Sequence, residues 1–298
     1  MKTFQKGIFD QSSSAYFYLE YKVELTDYKL FLEQLKSATS INNGGVYVVT
    51  SFGKRLWDLI SPKWSPTGFI NFETLIGEKG FTMPSTQLDL MFWIHGKDES
   101  SVLDVALAVH EQLKNVAQLA YEQKGFDYHN SHDLTKFEDG TGNPKTDDNR
   151  VAAAIIPEGQ VGESGSMVFT QQWIHNLGKF NNQPISHQEK IIGRTKKDSI
   201  ELTGDHMPHD SHVSRTDIAV DGVAMKMWRR STPFGGVKEH GLNFHCFACE
   251  TIRISSQLDS MLGRTEDKVT DRILEFSKPI RGAYWFCPSQ EDLIQLFE

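Results

Sequence analysis

The sequence predicts an α+β fold made of two ferredoxin-like β-α-β-β-α-β domains with antiparallel sheets. Three observations carry this. The second half runs strand, helix, hairpin, helix, strand, the order that defines such a unit. The first half runs through the same order more loosely. Finally, Met91-Phe92-Trp93-Ile94-His95-Gly96 before one helical pattern is echoed by Phe244-His245-Cys246-Phe247-Ala248-Cys249 before its counterpart. The seam falls near residues 126–140, which divides the chain into domains 1–132 and 133–298.

Taken in order, Tyr16 to Leu25 is rich in aromatic and β-branched residues and reads as a strand. Thr26 is placed to cap a helix whose face is Tyr28, Phe31, Leu32 and Leu35, at helical spacing. Asn42-Asn43-Gly44-Gly45 turns the chain into a strand from Val46 to Phe52, and Asp89 to His95 reads as another. Asp98 to Leu119 carries the longest amphipathic pattern, with Val102, Val105, Ala106, Val109, Leu113 and Val116 on one face.

In the second half, Ser166 to Trp173 reads as a strand, and Ser186-His187-Gln188-Glu189 has the form of a capping box opening a short helix. Asp221-Gly222 predicts a hairpin between Asp217–Val220 and Val223–Trp228. Leu242 to Glu250 is a strand, Thr265 to Phe276 a helix and Gly282 to Cys287 a closing strand.

Composition narrows the function. A chain of 298 residues with 39% hydrophobic content can bury a substantial core. Its formal net charge of −8 argues against nucleic acid as a partner, because that binding needs excess Lys and Arg to displace phosphate counterions. No apolar run reaches the length of a membrane span, and the residues after Met1 form no apolar leader. Three cysteines, Cys246, Cys249 and Cys287, are an odd number that fits a reducing, cytoplasmic compartment. Cys246-x-x-Cys249 lies inside an apolar strand pattern with no second CxxC, so these read as buried structural thiols.

Two polar loops stand out. His206, His209 and His212 fall within seven positions, which suggests a metal or a metal cofactor. Together with Asp205 or Asp210 they offer a zinc-like donor set; alternatively one of them ligates a heme iron while a carboxylate holds its other nitrogen. Spacing alone does not choose between these and a solvated loop. The other loop, Phe137-Glu138-Asp139-Gly140-Thr141-Gly142-Asn143-Pro144, is a string of turn formers, and most such strings are only turns; its distinguishing feature is a carboxylate between Phe137 and Gly140, where a tight backbone would aim it.

These segments resemble the dye-decolourising peroxidases, a heme family built from two ferredoxin-like domains. The seam loop is similar to that family's Gly-x-x-Asp-Gly motif, with Lys136 where the first glycine stands. Asp210-Ser211-His212-Val213-Ser214-Arg215 resembles its axial-histidine segment, and Trp228-Arg229-Arg230-Ser231-Thr232-Pro233-Phe234-Gly235 its distal-arginine segment. Ile191 to Lys196 and Thr270 to Ser277 also look like family segments. The likeness runs from about Asp133 to the C-terminus and is weak before it.

The resemblance implies one heme b per chain, held in the C-terminal half, with His212 as the iron ligand and Asp271 accepting a hydrogen bond from its other nitrogen. It implies Asp139 as the acid–base group toward hydrogen peroxide and Arg229 as the stabiliser of developing charge and a cofactor contact. Ser231 and Phe244 are expected in the distal pocket, and Arg194 beside a heme propionate. The implied activity is reduction of hydrogen peroxide through a ferryl intermediate, with dyes, phenols or other small one-electron donors oxidised, in a homo-oligomer of two or more copies. With only about ten residues after the last strand, no packaging tail is expected. A heme carrier without turnover and a non-heme hydrolase built on His206, His209 and His212 are the competing readings.

Overall fold

A computed structural model describes residues 2–41 and 43–298, so Met1 and Asn42, the first residues of the leader and turn readings above, lie outside the described residues. Four strands of the first half are β1 (Ala15–Lys22), β2 (Val46–Phe52), β3 (Leu90–Gly96) and β4 (Gln118–Phe126). The second half contributes β5 (Ser166–His175), β6 (Trp228–Arg229), β7 (Thr232–Gly235), β8 (His240–Ala248) and β9 (Ser277–Cys287). All nine join one sheet in the order β6-β8-β5-β9-β2-β3-β1-β4, with β7 also pairing β8, and every pairing is antiparallel.

Each half therefore has the strand order second, third, first, fourth, which is the ferredoxin-like arrangement. The echo between residues 91–96 and 244–249 falls on the third strands, β3 and β8. The halves meet where Phe286 of β9 pairs Phe52 of β2. At the far edges β4 approaches β7 so closely that a Cβ on Gly125 would lie 2.3 Å from Thr232 Oγ1. Only glycine lets the curled sheet bring its edges together there.

Several elements differ from their expected places. The first helix, α1 (Tyr28–Thr39), is capped by Asp27 rather than Thr26, whose neighbour's carboxylate reaches Leu30 N at 3.0 Å. Phe31 and Leu35 of its expected face are buried, whereas Tyr28 is exposed. Helix α2 (Glu99–Leu113) stops six residues early, and the chain then continues as β4, where a bulge at Ala120 sends Leu119 to the core under α1 and α2 and Tyr121 to the opposite face of the sheet. The bulge breaks the two-residue alternation that would have marked a strand, so the long helical pattern before it dominates.

In the second half, α3 (Ile185–Ile192) begins one residue before Ser186 and has no side-chain cap, so the capping box does not form. Asp221 and Gly222 both adopt positive φ, as a type I′ turn needs, but they join only Ala219–Val220 to Val223–Ala224 in a separate small ribbon. The inner hairpin of the unit is instead β7–β8. The second helix is α5 (Ile252–Met261), which buries Ile254, Leu258 and Met261, not residues 265–276. That stretch folds as turns and one 3-10 turn, Arg272–Glu275.

Tyr16, Tyr18, Trp93, Val168, Trp228, Phe247 and Trp285 pack between the facing halves of the sheet. The outer face of the C-terminal half is covered by α5, with Phe169, Trp173, Cys246 and Tyr284 beneath it. All three cysteines are buried and free, and burial pushes the Cys246 and Cys287 thiols up to about 12. They are structural thiols, as the strand pattern implied.

Candidate active site

The histidine loop resolves into one positioned imidazole and two solvated ones. His212 opens α4 (His212–Thr216), capped by Ser211. Its Nδ1 lies 2.7 Å from Asp271 Oδ2, and Nε2 has no protein partner among the described residues. Asp271 is fully buried at the head of the 3-10 turn, where its other oxygen accepts Ile273 N at 2.9 Å. The two loops are tied a second time by Arg272, whose Nε donates to Asp210 Oδ2 at 2.9 Å and whose backbone N–H donates to Asp210 O at 2.9 Å.

Buried Arg215 anchors the far end of α4 through Ser260 O at 3.1 Å and Asp267 Oδ2 at 2.7 Å. The imidazole is thus held at both flanks. His206 and His209 are exposed. Among the described residues no three His, Cys, Asp or Glu side chains are grouped to hold a metal ion, so the hydrolase reading has no site.

The seam loop brings up a carboxylate. Asp139 N donates to Ser131 O at 2.8 Å, and Asp139 Oδ1 accepts Gly140 N at 2.7 Å. Burial pushes its carboxyl above the ordinary value, partly opposed by the Arg229 guanidinium. Lys136 takes the left-handed conformation, φ 68°, which glycine adopts freely and a lysine only with backbone strain.

Next to this loop, Asp133 accepts His175 Nε2 at 3.0 Å and Thr135 N at 2.9 Å. Burial works against its ionisation, yet His175 and Thr135 outweigh that and hold the carboxyl down to about 2. This pair, 42 positions apart, had no local signal in the sequence.

Arg229, on edge strand β6, faces the same space as Asp139 and His212. Its neighbour Arg230 points to the opposite side, buried, donating to Ile8 O and Asp10 O and lying over the Trp93 ring at 5.1 Å.

Asp139, His212 and Arg229 together line one cleft, walled by Trp173, Met227, Leu242, Phe244, Ile254, Leu258 and Met261. Phe244 is one of the apolar walls of this cleft. Arg194 lies at the polar mouth beside His212 and Arg229, with Nη1 on Ser199 O at 3.1 Å and its other arm on Glu201. Ser231 does not face the apolar cleft. It lines a polar recess behind Asp139 and Arg229, and its buried hydroxyl has no partner among the described residues.

The donor set fits heme. A single imidazole, polarised by a buried carboxylate, supplies too few ligands for a bare metal ion but the right number for iron already held in a macrocycle. The apolar walls suit the macrocycle, and the polar mouth with Arg194 suits its carboxylates.

The relatives of this chain agree with that chemistry. The family model described as Dyp-type peroxidase, N-terminal, matches residues 31–127, and the C-terminal model matches residues 130–292. A dye-decolorizing peroxidase of Rhodococcus erythropolis is 30% identical over 84% of this chain and 74% of its own length. One from Mycobacterium tuberculosis is 30% identical over 81% of this chain and 73% of its own.

Among solved structures, a dye-decolorizing protein from V. cholerae superposes with a TM-score of 0.88 at 32% identity, covering 97% of this chain and 98% of that one. A DypB variant from Rhodococcus jostii RHA1, solved in complex with heme, gives a TM-score of 0.87 at 28% identity over 94% and 95%. With both halves matched by its models and curated relatives similar over most of their length, the chain belongs to the Dyp-type peroxidase family, and heme is its cofactor.

Proposed function

We propose that the chain works as a heme peroxidase in which Asp139 is the acid–base group, Arg229 the charge stabiliser and His212 the iron ligand, oriented by Asp271. The observation that supports this most directly is that Asp139, His212 and Arg229, from three separate segments, line one apolar cleft. When bound, heme supplies the two electrons that cleave the peroxide O–O bond and recovers them one at a time from a donor.

The side chains do the rest. Ionised Asp139 takes a proton from the inner oxygen of hydrogen peroxide and returns it to the outer one, which leaves as water. The Arg229 guanidinium meets the negative charge that develops on the departing oxygen. Asp271 accepts the Nδ1–H of His212, which fixes the tautomer and leaves Nε2 as the donor nitrogen. Phe244, Leu242 and Trp173 keep the cleft dry, which strengthens these charge interactions. A heme carrier without turnover has no need of the Asp139–Arg229 pair.

The donor is read as a small aromatic or phenolic molecule. The two domains are read as residues 1–132 and 133–298, and the working assembly as a homo-oligomer. A cytoplasmic location is supported by three free, buried cysteines. No helix among the described residues is long and apolar enough to cross a membrane.

Heme titration followed by absorption spectroscopy tests the central reading. One equivalent per chain should give a Soret band that shifts on adding peroxide and returns on adding a phenol. A band indifferent to peroxide would leave only the carrier. Light scattering tests the assembly, and a monomer at micromolar concentration would remove it.

A further inference from the structure

The loop that carries Asp139 also holds Arg229 in place. On edge strand β6 the ladder to β8 pairs Arg229 with Cys246, and the next bond inward is Arg230 N–H to His245 O at 2.7 Å. Alternate residues of an edge strand turn their N–H and C=O away from the partner, and at Arg229 these two groups face the seam loop. There they meet a side chain rather than another strand. Asn143 Oδ1 accepts Arg229 N–H at 3.0 Å, and Asn143 Nδ2 donates to Arg229 O at 3.0 Å. A carboxamide has the same donor and acceptor as a peptide group, so Asn143 stands in for one residue of a neighbouring strand.

The same Oδ1 also accepts the side-chain Nε–H of Arg229 at 3.4 Å, so the clamp reaches the base of the guanidinium as well as the main chain. The glycine before it makes room. A Cβ on Gly142 would lie 2.6 Å from Arg229 Nη2, so the guanidinium lies across a stretch of loop that has no side chain. Gly140, at φ +73°, turns the loop so that Asp139 and Asn143 belong to one short arch, closed by Asn143 N–H to Gly140 O at 2.9 Å.

From this geometry we infer that Asn143 is a positioning residue for Arg229, and that the arch from Asp139 to Asn143 delivers the acid–base carboxylate and the guanidinium to the cleft as one unit. The inference rests on the reading of Arg229 as the charge stabiliser. An aspartate at 143 keeps the acceptor for the two N–H groups but loses the donor to Arg229 O. Alanine loses both and leaves two edge groups and Nε without partners.

The test is a double-mutant cycle in the heme-loaded protein, with the rate of reaction with peroxide, fluoride affinity of the ferric enzyme and thermal melting as readouts. Asn143→Ala is expected to slow the peroxide reaction by about 10–100-fold, up to the effect of displacing a positioned catalytic group by about 1 Å. It should also weaken fluoride, which accepts a hydrogen bond from a correctly placed guanidinium, by about 10-fold, the worth of one charge-assisted hydrogen bond. In an Arg229→Leu background the same substitution should change both by less than about 2-fold, because the group it positions is gone.

Equal proportional losses in the two backgrounds would make Asn143 a loop-stabilising residue only and overturn the proposal. So would an Asn143→Ala protein with wild-type rate and fluoride affinity. If Arg229→Leu itself reacts normally, the reading of Arg229 fails first, and the two failures are told apart by that arm. Should Asn143→Ala melt too low to study, the same cycle is run with Asn143→Asp.

Discussion

His212 and Asp271, 59 residues apart, form a hydrogen bond of 2.7 Å in which the carboxylate is fully buried and the imidazole lies at the edge of the cleft. The other carboxylate oxygen is engaged by Ile273 N, so Asp271 has only one orientation in which to meet the ring.

That pairing separates the three histidines by experiment. His212→Ala should lose most of its heme, whereas His206→Ala and His209→Ala, both exposed, should keep a normal Soret band. Asp271→Asn should bind heme about 10–100-fold more weakly or react correspondingly more slowly. Heme retention by His212→Ala with loss in His209→Ala would reverse the ligand assignment.

Asp139 is expected to set the acid limb of the reaction. Asp139→Asn should keep heme and slow the reaction with peroxide by about 10²–10⁴-fold. Because burial raises the Asp139 pKa, the wild-type rate should fall, as pH drops, at a value above the ordinary carboxylate range, and that limb should vanish in the variant. Stopped-flow mixing across pH reads both; a surviving limb would move the base role to another group.

The same shift has a consequence for stability, with the opposite benefit. A carboxyl whose folded pKa lies above its unfolded one binds more protons in the native state within that window. Stability is then greatest below the unfolded value and declines as pH rises through the folded one. Asp139→Asn should therefore melt higher than wild type at neutral pH, and the gap should close in acid. Calorimetry at two pH values checks the sign.

Arg229 and Arg230 should part company. Arg229→Leu is expected to slow the peroxide reaction by about 10²–10³-fold, the loss seen when one charge-stabilising donor is removed. Arg230→Leu should react almost normally but cost about 1–3 kcal/mol of stability, because Ile8 O and Asp10 O lose a buried donor. Chemical denaturation and stopped-flow kinetics on both variants decide it, and exchanged phenotypes would mean the strand faces the other way.

Lys136→Gly should raise stability by up to about 1 kcal/mol, since a left-handed lysine is strained and glycine is not, less the entropy glycine adds to the unfolded chain. The reaction with peroxide should be unchanged. A fall in melting temperature would show that the lysine side chain contributes more than its backbone costs.

Much of this protein is local chemistry and therefore legible in the chain. The repeated element order, the turn formers from Asp139 to Pro144, the histidine loop and the alternation that parts Arg229 from Arg230 are all properties of neighbouring residues. The departures from it are local too. Apolar spacing for α5 was present at Ile254, Leu258 and Met261, and Asp221-Gly222 did make its turn, but a turn signal does not say which sheet its strands will join.

What only the tertiary structure decided are pairings across long separations. His212 differs from His206 and His209 because Asp271 is folded against it. Asn143 differs from any turn asparagine because Arg229, 86 positions on, presents an unpaired strand edge to it. Spacing within a loop records which groups are available. Which of them is desolvated, oriented and opposed by a partner depends on segments brought together by burial, and no local pattern encodes that.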